Sequence, residues 1–137
     1  MKKLLGILVL GLVLSVNAYG RDDTARELFL ECKLGIKLLD EGKDSVSDLE
    51  MAKALQCITF IKGIMEAASF QHLIDKGLAK DLPYNILNSC PPGEGQMAFA
   101  QIMRIFVKFL KDHPEYMHRD YIEVIGKSLA YNFPCNN

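Results

Sequence analysis

The chain has 137 residues, half of them hydrophobic, with 16 basic and 17 acidic side chains and a net charge of −1. It has no basic run or Arg-rich patch, which argues against nucleic acid as a partner, because that binding depends on clustered cations facing phosphates. The length supports one modest domain, and the alternating charges mark solvated helix faces.

The first element is a leader. Lys2 and Lys3 precede Leu4 to Val16, a run without a charge, and Val16 and Ala18 are small residues where a signal peptidase reads them. The pattern predicts a secretory signal peptide over residues 1–18, cleaved after Ala18. The rival reading is an uncleaved anchor, but a bilayer needs about 20 apolar residues and this run is shorter. Cleavage leaves a single domain of residues 19–137, which loses Lys2 and Lys3 and so carries a net charge of −3. No second apolar run of this kind follows, so no membrane contact is expected after signal removal.

A first helix is expected from about Asp23 to Glu41. Thr24 and Glu27 form a predicted capping box. Ala25, Leu28, Phe29, Cys32, Ile36 and Leu39 recur at three and four and share a face, and Gly42 is the stop. A second, longer helix is expected from about Asp48 to Lys76, opened by a capping box of Ser47 and Glu50. Ala54, Cys57, Ile58, Ile61, Met65 and Ala68 form its apolar face. Gly63 lies inside it. An interior glycine costs about 1 kcal/mol relative to alanine, so the expectation is a neighbouring helix packed closely against Gly63.

Leu78 to Gly95 is irregular, with three prolines, two glycines and two asparagines. A connection this long inside a compact domain often carries function. A third helix is expected from about Gln96 to Lys111, burying Ala98, Ile102, Ile105, Phe106 and Phe109. It meets the stretch KDHPEYMH, Lys111 to His118. Proline disfavours helical dihedrals in the residue before it and suits the first helical position. His113 is therefore predicted as a joint and N-cap, with Pro114 opening a fourth helix that runs to about Tyr131. Glu115 falls in its first turn, where the helix dipole favours negative charge. Met117, Tyr121, Val124, Ile125 and Ser128 lie together on this helix. No stretch shows the two-residue alternation of a strand, so the fold class is all-α: a compact bundle of about four main helices in two antiparallel hairpins.

Cys32, Cys57, Cys90 and Cys135 make an even count in an exported small domain, which predicts two disulfides. Their spacings of 25, 33 and 45 lack the close pairs of a zinc site. In a hairpin of the first two helices, Cys32 and Cys57 fall at similar heights, given a rise of about 1.5 Å per residue. Cys90 precedes the third helix and Cys135 follows the fourth, so both come to one end. The expected pairing is Cys32–Cys57 with Cys90–Cys135.

Catalytic chemistry finds little support. His113 and His118 are five apart, which is not the i, i+4 spacing of helical metal ligands, so a structural corner is the better reading and no metal or cofactor is expected. His72 and Asp75, at i, i+3, could form a charged pair, but a solvated helix-end histidine explains them more simply. Ser45, Ser47 and Ser69 have no nucleophile motif around them, and the GEG of Gly93 to Gly95 follows no strand and is too short for a phosphate loop. The nucleophile, base and orienting group that an enzyme needs are not in view.

The order of motifs resembles the Rap/Tai family of type VI secretion immunity proteins. It is carried by Cys32 on a helix, CITFIKG at Cys57 to Gly63, CPP at Cys90 to Pro92, FLKDHPEYMH, and FPC at Phe133 to Cys135. The resemblance spans roughly Leu28 to Cys135. It departs from the family's usual pattern in Thr59 where glycine is frequent, Phe60 where tyrosine is frequent and Glu66 where aspartate is common. The resemblance implies a small, periplasmic, α-helical binding protein without catalytic residues. Such a protein neutralises a cell-wall hydrolase toxin of the amidase type by blocking its active site, and does so as a homodimer. It also leads to partner contacts on the irregular connection, at Lys80, Asp81, Tyr84 and Asn85, with tyrosine a common interface anchor. The alternative is that Tyr84 and Leu87 simply cover the core. The alternative function is a periplasmic structural or interaction protein of the same fold with no toxin partner.

Overall fold

The structure, a computed structural model, describes residues 23–78, 87, 89–91 and 97–135, without the side chains of 70, 72–76 and 78. The described residues form four helices: α1 (Ala25–Glu41), α2 (Asp48–Leu78), α3 (Phe99–Asp112) and α4 (Tyr121–Asn132), with 3₁₀ turns at Lys43–Ser45 and Pro114–Tyr116. The described residues contain no strand.

α1 and α2 form the first hairpin. Gly42 closes α1 at φ 86°, and its N–H donates to the Leu38 carbonyl at 3.1 Å. α2 opens with the predicted capping box: the Ser47 N–H donates to Glu50 Oε2 at 2.8 Å, and the Glu50 N–H to Ser47 Oγ at 3.3 Å. The two hydrogen bonds satisfy donors at a helix start that would otherwise be orphaned. Cys32 and Cys57 are joined across the hairpin with Cα atoms 5.1 Å apart, and Cys90 joins Cys135 at 4.9 Å. Both pairings are those expected.

α3 and α4 complete the core. Leu28, Ile61, Ile102, Met103, Phe106, Leu110, Val124, Ile125 and Leu129 are fully buried together. Phe60 on α2 meets Tyr121 on α4 edge to face, with ring centroids 5.0 Å apart. Arg104 on α3 reaches Asp40 on α1 at 2.5 Å.

Several expectations need correction. The close approach lies at Gly35, not Gly63. A Cβ added at Gly35 would stand 2.5 Å from Met103 Cε and 3.4 Å from the Ala54 carbonyl oxygen. Gly63 is exposed, and an added Cβ would meet none of the described atoms. Leu39 is 42% exposed, because the buried stripe of α1 runs through Ala25, Leu28, Cys32 and Gly35 and ends before the last turn. Ala98 is exposed as the residue before α3, which begins at Phe99 rather than Gln96. The stripe of α3 is also wider than expected, adding Met103, Val107 and Leu110.

Candidate functional site

The stretch from Asp112 to Asp120 joins α3 to α4 and also caps α1. α3 ends because Pro114 disfavours a helical His113. His113 sits at φ −131°, ψ 66°, and its N–H still reaches the Phe109 carbonyl at 2.8 Å. Pro114, Glu115 and Tyr116 then make one 3₁₀ turn rather than the start of a helix. The carbonyls that follow face α1: Met117 accepts the Arg26 N–H at 3.0 Å, and Arg119 accepts the Ala25 N–H at 2.8 Å. In return the Asp23 carbonyl accepts the Tyr121 N–H at 3.2 Å, and Thr24 and Asp120 form an antiparallel bridge.

This exchange explains two departures from the sequence reading. Thr24 precedes α1, but its side chain makes no cap hydrogen bond, because two of the first helical N–H groups already have backbone acceptors. α4 starts at Tyr121, not Pro114. Its cap is Asp120, whose carboxylate accepts from the N–H of Ile122 at 2.8 Å and of Glu123 at 3.2 Å. His113 serves as the joint, yet its side chain makes no cap hydrogen bond.

The two histidines of the corner face different recesses. The His113 ring lies 4.7 Å from that of Phe109 and edge-on to Tyr131 at 5.8 Å. Its Nδ1 is 3.4 Å from Glu115 Oε1. With Ile105, Lys108, Asp112 and Asn132 it lines a cavity of about 180 Å³. At the rim Lys108 binds Asp112 at 2.5 Å. That hydrogen bond raises the Lys108 ammonium above its ordinary pKa and lowers the Asp112 carboxyl below its own. His118 instead lines a groove of about 290 Å³ with Arg26, Phe29, Leu30, Pro114 and Met117. Among the described residues, no three His, Cys, Asp or Glu side chains gather as a metal site would require.

The serine hydroxyls near helix starts serve the backbone. Ser45 Oγ donates to the Gly42 carbonyl at 2.7 Å, and Ser47 belongs to the capping box. The side chains of His72 and Asp75, and the whole of Gly93 to Gly95, lie outside the described residues.

The second region is the irregular connection. Lys80, Asp81, Tyr84 and Asn85 lie outside the described residues. Leu87 packs against the core, at φ 49°, with its carbonyl oxygen 3.4 Å from the position of a Cβ at Gly126. So Leu87 covers the core, the role weighed for it above. Cys90 is tied to the residues after α4, by its disulfide to Cys135 and by its N–H donating to the Phe133 carbonyl at 2.9 Å.

The groove at Leu30 was missed by the sequence reading. Its signal was an apolar residue on the polar face of α1, among Arg26, Glu27 and Lys33. Leu30 is 53% exposed.

No curated protein and no solved structure matches the chain. The family of Rap1a immunity proteins does match, over residues 24–135. That span runs from Thr24, where the corner meets α1, to Cys135, which closes the second disulfide, and it agrees with the resemblance to Rap/Tai immunity proteins. The chain belongs to the Rap1a immunity protein family, whose class implies binding to a toxin partner.

Proposed function

We propose that this chain is a periplasmic immunity protein of a type VI secretion system. It neutralises a peptidoglycan-hydrolase toxin of the amidase type by blocking the active-site cleft, acts as a homodimer and has no catalytic activity of its own. The observation that carries this reading is the family match over residues 24–135. The two disulfides support it, because such bonds persist in oxidising compartments, and the leader pattern of residues 1–18 would deliver the chain to one.

The Leu78–Gly95 connection is the part that reaches the toxin, through Lys80, Asp81, Tyr84 and Asn85. It is held by α2 at one end and by Cys90 near the other, which lowers the cost of ordering it on binding. The test is made in cells. The toxin encoded by the adjacent reading frame is directed to the periplasm, together with this chain or with a version lacking residues 1–18. The full chain restores growth and the shortened one does not. Continued killing in the presence of the full, folded chain contradicts the reading.

A further inference from the structure

We propose that the groove between the first turns of α1 and the Pro114–His118 corner is a second contact with the toxin, and that it takes an acidic segment carrying an apolar side chain at its tip. The proposal rests on the immunity reading above and adds to it a surface and the chemistry of what fills it.

The groove is apolar at its floor. Phe29, Leu30, Pro114 and Met117 line it, in a volume of about 290 Å³. Leu30 is 53% exposed although Leu28 and Cys32, its neighbours two positions away, are fully buried. A single exposed leucine means little, whereas a recess with four apolar walls presents a contiguous surface.

One edge of the groove carries two cations, Arg26 and Lys33. Arg26 and His118 line the groove directly, and Lys33 Nζ stands 5.6 Å from the centre of the Phe29 ring. Arg26 and Lys33 are seven residues apart, which places them within about 20° of each other around the helix. On the corner Glu115 faces His113 and Asp120 caps α4, and Glu31 on α1 is buried. Glu27, three residues before Leu30, borders the groove on the opposite side of Leu30 from Lys33, about 120° away around α1. No salt bridge among the described residues uses Arg26 or Lys33. An apolar floor beside the unpaired Arg26 and Lys33 is complementary to an acidic, apolar-tipped segment whose charge meets that edge.

The walls are also fixed before binding. Hydrogen bonds from Ala25 to Arg119 and from Arg26 to Met117 lock the corner onto α1, so the groove needs little rearrangement to accept a partner. The other conceivable occupant is a second copy of this chain, whose exposed Asp48-Leu49 pair, with Leu49 69% exposed, has the matching chemistry. The test separates the two.

The probe is the purified toxin from the adjacent reading frame. Its association and dissociation rates are measured against the disulfide-bonded wild type, the double variant Arg26→Glu/Lys33→Glu, and Leu30→Ser. Thermal unfolding verifies that each variant is folded, and sedimentation gives its oligomeric state. The charge reversal is expected to slow association at least tenfold at low salt and to flatten its salt dependence, in the range of electrostatic steering. Leu30→Ser is expected to speed dissociation several-fold. In the wild type, toxin binding is expected to shield Lys33 from acylation. Wild-type rates in both variants, with Lys33 labelled equally in free and bound protein, overturn the groove contact and leave the immunity reading standing. Variants that keep the toxin but lose self-association overturn it in favour of a second copy. A wild type that does not bind this toxin removes both the immunity reading for this pair and the groove contact built on it.

Discussion

Gly35 on α1 and Met103 on α3 meet where a side chain would not fit: a Cβ at Gly35 would stand 2.5 Å from Met103 Cε. Met103 Cε is the end of a flexible side chain but is fully buried, so it must turn aside within a packed core, and the Ala54 carbonyl at 3.4 Å narrows the space further. Overpacking of this kind costs about 1–3 kcal/mol, partly offset by the roughly 1 kcal/mol that alanine gains over glycine in a helix. Gly35→Ala is therefore expected to destabilise the domain by up to about 2 kcal/mol. Gly63→Ala, exposed and mid-helix, should stabilise it by about 0.5–1 kcal/mol. Urea denaturation of both variants checks the opposite signs.

These glycines show what the sequence could and could not reveal. The helix count, the second capping box and both disulfide pairings were legible, because each depends on local spacing or on heights along a hairpin. Which glycine lies under a neighbouring helix was not, because Gly35 and Gly63 both sit inside helical patterns and only the crossing of α1 with α3 distinguishes them. The start of α4 was misplaced for a similar reason. Pro114 is a good local start, but the carbonyls of Met117 and Arg119 are taken by the Arg26 and Ala25 N–H groups, far away in sequence. The apolar groove was hidden because Leu30 gains its neighbours, Pro114 and Met117, only through that same contact.

Within the corner, His113 packs against rings and Asp120 caps α4, and both should behave accordingly. His113→Ala loses the ring contacts with Phe109 and Tyr131 and should cost about 1 kcal/mol, the scale of an aromatic pair. His113→Phe should keep most of that stability. Asp120→Ala removes the cap of α4 and should cost about 1 kcal/mol. Added zinc should leave the Tm of the wild type unchanged; a zinc-dependent rise that His113→Ala and His118→Ala both abolish would mean that the histidines do bind metal.

Each disulfide constrains the unfolded chain, over 25 residues for Cys32–Cys57 and 45 for Cys90–Cys135. In the chain-entropy model each contributes on the order of 3–4 kcal/mol. Peptide mapping without reduction should recover these two pairs, and reduction should lower the Tm steeply. A cross-linked peptide joining Cys32 to Cys90 would contradict the paired hairpins.

Acid should loosen the start of α2. The Ser47 backbone and hydroxyl hydrogen bonds hold the Glu50 carboxyl below its ordinary value of 4.5. A depressed folded value means that this stabilisation is full above the ordinary value and is lost as pH falls through the folded one. For Lys108, raised by Asp112 above its ordinary 10.5, the sign reverses: its contribution is full below 10.5 and is lost as pH rises through the folded value. Glu50→Gln should therefore lower Tm at neutral pH, and the gap from wild type should shrink in acid. A gap that stays constant down to about pH 3 would disconnect Glu50 ionisation from stability.

Under the proposed function this chain inhibits a cell-wall hydrolase by binding it. The most direct measurement is the release of soluble fragments from peptidoglycan by the purified toxin of the adjacent gene, titrated with disulfide-bonded protein of residues 19–137. Tight occupation of the toxin's cleft predicts a linear fall in hydrolysis that reaches zero at one chain per toxin. Undiminished hydrolysis in the presence of excess folded protein would contradict it.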